Sequence, residues 1–166
     1  MDDAEFLAVA PNSRTRYPCS PRLDRGTVGL LLAAPSRVTL PADPAAPWSL
    51  TVCLACGFSI LAHRQLRRDG LRDLAESILF VASLPAAGFS GAGPLRDGKE
   101  RPDRPERPDP SDGLSDEDAA KHTFAICVNP DLCTSMRLPA KPGTCFVHAT
   151  LGQLQSNVVA IELVRP

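Results

Sequence analysis

The chain has 166 residues and a net charge of −1 at pH 7, a length that fits one domain and a charge that offers no global basic field to nucleic acid. With 43% hydrophobic residues but only 5% aromatic ones, the core must rest on Leu, Val, Ala and Ile. Seventeen prolines and 11 glycines disfavour long helices and suit short strands joined by turns.

The first residues, Met1-Asp2-Asp3-Ala4-Glu5, are acidic, whereas a secretory signal opens basic and then turns apolar. No apolar run approaches the roughly 20 residues that span a bilayer, so an intracellular protein away from the membrane is expected. In that setting the six cysteines, Cys19, Cys53, Cys56, Cys127, Cys133 and Cys145, are expected as free thiols.

Residues 1–24 carry Pro11, Pro18 and Pro21 among small polar side chains and read as a loosely held N-terminal arm. A β domain is expected over 25–166. Residues 28–32 form a short apolar run, and 36–40 (SRVTL) alternate as a half-buried strand does. A loop with Pro41, Pro44 and Pro47 follows, then an alternating strand over 50–55 that Gly57 is expected to break, and a new strand from Phe58 to Ala62. Residues 65–74 fit either a turn or two of helix or a loop, and Gly70 favours the loop. Residues 77–84 (SILFVASL) read as a buried strand.

Residues 95–118 are different material. They hold nine acids and five bases, a net −4 that leaves +3 for the rest of the chain. Such a tract buries too little apolar surface to offset its ordering entropy, and a disordered, charged, Pro-rich insertion is expected over 92–120. Strand patterning resumes at 124–128. A turn follows at Asn129-Pro130-Asp131, a short extended piece at 135–138, a turn at 139–143 and strands over 144–151 and 158–164. Nine or ten short strands with frequent turns predict an all-β barrel or jelly roll.

Three local patterns carry candidate chemistry. Cys53-x-x-Cys56 would need two further zinc ligands, and Cys127 and Cys133 are spaced too widely to supply them; buried structural thiols are expected, with no metal and no cofactor. Arg64, Arg67, Arg68 and Arg72, next to His63, could contact phosphate or a nucleic-acid backbone, but with no interleaved aromatics they also fit a solvated loop. Ser115-Asp116-Glu117-Asp118 suits an acidophilic kinase, and phosphorylation of Ser115 would add about −2 charge; the plain alternative is a solubilising acidic loop.

Taken in order, the segments resemble the dUTPase family. Gly26-Thr27-Val28-Gly29-Leu30-Leu31, with the strand into Pro41, is similar to the family's Ala-Gly-Tyr-Asp-Leu opening. His63-Arg64-Gln65-Leu66 stands at its Pro-Arg-Ser-Gly motif, and Ala86-Ala87-Gly88-Phe89-Ser90-Gly91 at its Gly-Val-Ile-Asp-x-Asp-Tyr-Arg-Gly motif. Gly143 to His148 corresponds to its Gly-Asp-Arg-Ile-Ala-Gln motif. The match runs in order over residues 26–164, each motif being degenerate.

The resemblance implies a dUTPase-like β-barrel whose nucleotide pocket has lost its chemistry. The degenerate positions are Gly29, Leu31, Arg64, Gln65, Ala86, Phe89, Gly91 and His148. Leu31 replaces an acid of the metal–triphosphate site, Gln65 a phosphate-contacting serine, and Ala86 the acid that orients water. The Gly-rich fifth motif is absent. Metal-assisted hydrolysis needs such carboxylates, so no enzyme activity is expected. The resemblance further implies a viral accessory protein, akin to the dUTPase-related proteins of herpesviruses and adenovirus early region four, that binds host proteins in the nucleus or cytoplasm. By analogy alone a homotrimer is one option, with a monomer or another oligomer equally open. The last residues, Arg165-Pro166, do not support a PDZ-binding tail. Residual deoxynucleotide binding and nucleic-acid binding through the arginine cluster remain the alternatives.

Overall fold

A computed structural model of the chain describes residues 13–14, 23, 27–68, 77–95 and 113–166. In chain order the elements are β1 (Ser13–Arg14), β2 (Gly29–Ala33), β3 (Arg37–Thr39), β4 (Cys53–Ser59), α1 (Ile60–Arg68), β5 (Leu79–Leu84), a 3-10 turn (Pro85–Ala87), β6 (Phe89–Pro94), α2 (Asp116–Lys121), β7 (Thr123–Asn129), α3 (Leu132–Met136), β8 (Gly143–Leu151), β9 (Leu154–Gln155) and β10 (Val159–Val164).

The strands make two sheets, one of order β1-β7-β4-β2 and one of order β3-β10-β8-β5-β6 with β9 on β8. Neighbouring strands run antiparallel except β3 and β10. Strand side chains alternate between faces, and the apolar alternates of both sheets meet in one core. Leu30, Leu32, Leu54, Phe58 and Val128 come from the smaller sheet; Phe80, Leu84, Val147, Ile161 and Leu163 come from the larger.

The mainly-β class agrees with the sequence pattern, but no barrel closes among the described residues. The chain leaves the smaller sheet for the larger one at Ala34-Pro35-Ser36, between β2 and β3. Pro35 has no N–H with which to extend a ladder, so β2 and β3 belong to separate sheets rather than to one wrapping strand. Asn157 bridges the sheets from the turn before β10: its Oδ1 accepts from Leu32 N at 2.8 Å and its Nδ2 donates to Leu32 O at 2.9 Å.

Several local expectations are corrected. Gly57 does not break a strand; it lies inside β4, and the strand continues through Phe58 to Ser59. Residues 60–62 are helical, because the Ser59 hydroxyl accepts from Ala62 N at 3.0 Å and so caps a run of good helix formers. That helix reaches Arg68, so helix prevails over loop for 65–68, while Gly70 and Arg72 fall outside the described residues. In the piece at 135–138, Ser135 and Met136 end α3 and Arg137 is its left-handed C-cap, the helix being started by Asp131, which accepts from Cys133 N. The insertion expected over 92–120 is ordered at both ends, where 92–94 belong to β6 and 115–120 to the capped helix α2; residues 96–112 lie outside the described residues, as does most of the 1–24 arm.

Candidate functional site

The third-motif positions lie in the β5–β6 hairpin. Leu84 pairs with Phe89 across the loop Pro85-Ala86-Ala87-Gly88. Gly88 adopts φ 64°, a left-handed conformation that glycine takes without strain, and its N–H donates to Pro85 O at 2.9 Å. Phe89 and Gly91 share the core-facing side of β6, opposite the buried Leu84 and Ala82. The Phe89 ring folds back over Gly91, where a Cβ would come within 2.8 Å of Cζ. The Ala86 methyl lies against Gly143 in the same way, 2.8 Å from where a Cβ would stand. Both glycines therefore give up side-chain volume to the hairpin's own apolar groups.

The remaining positions fall elsewhere. Gly29 and Leu31 are on β2 in the smaller sheet, opposite Gly57 and Ala55. His148 is on β8 opposite Val81; its neighbours Val147 and Ala149 are buried, so it projects from the outer face of the larger sheet, away from Phe89 and Gly91. Arg64 and Gln65 are on α1. The eight positions thus divide among a hairpin, two sheet faces and a helix rather than lining one pocket.

Arg64 is committed to structure. Its guanidinium donates to Asp116 Oδ1 at 3.1 Å and to Leu114 O at 3.0 Å, tying α1 to the start of α2. Gln65 and Arg68 are exposed, and Arg72 lies outside the described residues. Arg64 therefore joins a clasp between α1 and the start of α2. Arg64→Ala is expected to loosen α2 locally, with amide exchange there about 5-fold faster, a loss of roughly 1 kcal/mol, and little change in the global transition. Hydrogen-exchange mass spectrometry checks this; unchanged exchange in α2 would show the clasp to be idle.

Ser115 caps α2. Its hydroxyl accepts from Asp118 N at 3.1 Å and donates to Asp118 Oδ2 at 2.7 Å. The hydroxyl is exposed to a kinase, but a phosphoryl group on it would displace the bond to Asp118 and face three acids in the first turn.

The five cysteines among the described residues are buried or half-buried free thiols. Cys53 and Cys56 point to opposite faces of β4: the Cys53 thiol donates to Asn129 Oδ1 at 3.0 Å on the outer side, while Cys56 joins the core. No group of three or more His, Cys, Asp or Glu side chains among the described residues is arranged to hold a metal ion. Burial, and then the charge of Asp131, push the Cys133 thiol well above the usual range, and burial raises Cys145 to about 11. Both stay protonated at neutral pH and make weak nucleophiles.

The sequence pattern did not single out the buried Asp131, which organises the segments around β4 and β7 as an acceptor. Its signal was present as Asp131-x-x-Thr134, an Asx cap that also fits a turn. Nor did it single out the outer face of the larger sheet, where β8 presents Thr144, Phe146, His148 and Thr150.

Comparison of the chain with family models, curated proteins and solved structures finds no match. What the fold defines is a mainly-β domain of two sheets facing across one core. No helix among the described residues is long and apolar enough to cross a membrane.

Proposed function

We propose that this chain is a non-enzymatic, dUTPase-related viral accessory protein whose β scaffold binds host proteins. The observation that carries the non-enzymatic part is the β5–β6 hairpin, where the resembled family orients its attacking water. Here Ala86 packs against Gly143 of β8 and Phe89 covers Gly91, so the hairpin's own apolar groups take up the space at both glycines. Leu31, at the expected metal-site acid, is half-buried opposite Ala55. Phosphoanhydride hydrolysis by the family route needs carboxylates to hold Mg²⁺ and aim water, and these positions supply packing instead. The viral origin and the host-binding role follow from the resemblance.

Isothermal titration with dUTP, dUDP and dUMP in the presence of Mg²⁺ tests the first part. The expected result is no saturable heat up to about 1 mM ligand, and binding at about 10 µM or tighter, or release of phosphate, would refute it. Affinity capture from expressing cells tests the second: a reproducible set of host proteins is expected at physiological salt, and capture no richer than that of an unrelated β protein would sink it.

A further inference from the structure

We infer that the outer face of the larger sheet is where two copies of this chain meet, with β8 and His148 near the twofold axis. This rests on the sheet alone and is independent of the dUTPase reading.

Four large apolar side chains among the described residues are exposed: Val28, Leu79, Phe146 and Val158. Three of them belong to this one face. The register puts Phe146 between Ala160 of β10 and Ser83 of β5, and His148 beside Val81, which faces Ala92 of β6. Leu79 stands two residues before Val81, and continuing the β8–β10 register sets Val158 opposite His148. Scattered exposed apolar residues are ordinary, but their concentration on one sheet face marks a contact surface.

Charge narrows the choice of occupant. On β10, β8, β5 and β6 the only charged outward side chain is Glu162, and it pairs at the margin with Arg37 of β3 at 3.5 Å. A charged peptide or a nucleic acid would find no counter-charge there. A second copy of the same face is equally neutral, and a net charge of −1 for the whole chain sets little long-range repulsion against self-association. The strand order β3-β10-β8-β5-β6 makes β8 the middle strand, so a twofold axis near Phe146 and His148 lets both faces overlap fully.

The size is consistent with a reversible dimer. Five strands at about 4.8 Å spacing and about 20 Å of strand length give a projected face of roughly 400 Å². The two faces together bury on the order of 800 Å², below the roughly 1,200 Å² of stable specific interfaces and in the range of weak, transient ones.

Sedimentation velocity on the full chain over about 1–200 µM at about pH 7.5 tests the inference, and a concentration-dependent dimer is expected. Phe146→Glu and Val158→Glu are each expected to weaken association at least ~30-fold. Circular dichroism confirms folding, and Val158, 58% exposed and outside the strand, keeps the test open if Phe146→Glu does not fold. A chain still monomeric at the highest concentration, or a dimer indifferent to both glutamates, overturns the inference. So does a monomer that captures a foreign protein through Val158.

Discussion

Replacing Asp131 with alanine will destabilise the fold by about 3 kcal/mol, because one buried carboxylate serves two segments at once. Oδ1 accepts from Leu50 N and from Cys133 N, each at 3.0 Å, and Oδ2 accepts from the Thr134 hydroxyl at 3.0 Å. Around it, Leu132 N donates to Leu50 O at 2.9 Å and Val52 N to Pro130 O at 3.2 Å. The carboxylate thus closes a short zipper between the approach to β4 and the exit from β7 while capping α3. Alanine leaves the Leu50 N–H buried without its acceptor and removes the cap. Either loss alone costs about 1–2 kcal/mol. Asp131→Asn keeps an oxygen for both N–H groups and is expected to cost only about 1 kcal/mol. Urea unfolding reads the difference as a lower midpoint at unchanged slope, on the order of 1.5 M for alanine. An alanine variant within about 0.5 kcal/mol of the parent would mean that water replaces the carboxylate without penalty.

The strands that build the core were legible because each buries one face. Phe80, Ala82 and Leu84 alternate with half-exposed neighbours in β5, as do Cys145, Val147 and Ala149 in β8 and Ile161 and Leu163 in β10, and a period of two survives in the sequence. β4 was harder to bound, since the alternation read over 50–55 does not carry into its burial: the strand is buried on both faces through Phe58. Its end is set by Ser59, not by Gly57. The α3 helix was hidden because Asp131 reads equally as a turn residue and a cap. At 115–118 one pattern, Ser-x-x-Asp, serves both a kinase motif and a helix cap, and the cap is what the structure contains. The site positions were aligned by motif order, which fixes succession along the chain but not the face a side chain takes. Strand parity carries that information: with Val147 and Ala149 inward, His148 has to point outward, opposite to Phe89 and Gly91. The break between two open sheets was legible only in Pro35, since pairing partners far apart in sequence leave no local trace.

Gly57→Ala is the second large expected effect, and it comes from contact rather than conformation. Gly57 lies in the middle of β4, between Gly29 of β2 and Ala125 of β7, on the face turned away from the main core. A Cβ there would run into the backbone carbonyl of Thr27 and stand 3.3 Å from Leu23 Cδ1. A flexible side chain could rotate aside; a backbone carbonyl moves only with its segment. The methyl therefore lifts the chain around Thr27 off β4, at a cost of about 2–4 kcal/mol. What that segment covers gives the measurement. Cys53 and Cys127 form a small cluster with Ala55 on this face, packed under Leu23 and Ala33, and Cys53 is 0% exposed. Lifting the cover exposes both thiols while Cys145, in the core on the larger sheet, keeps its own protection. Residue-resolved thiol labelling under native conditions is expected to run at least ~10-fold faster at Cys53 and Cys127 in Gly57→Ala, with Cys145 unchanged. Equal acceleration at all three would indicate global unfolding instead of local release. Unchanged labelling at Cys53 and Cys127 would show that Thr27 does not press on Gly57, and that glycine there is tolerated rather than required.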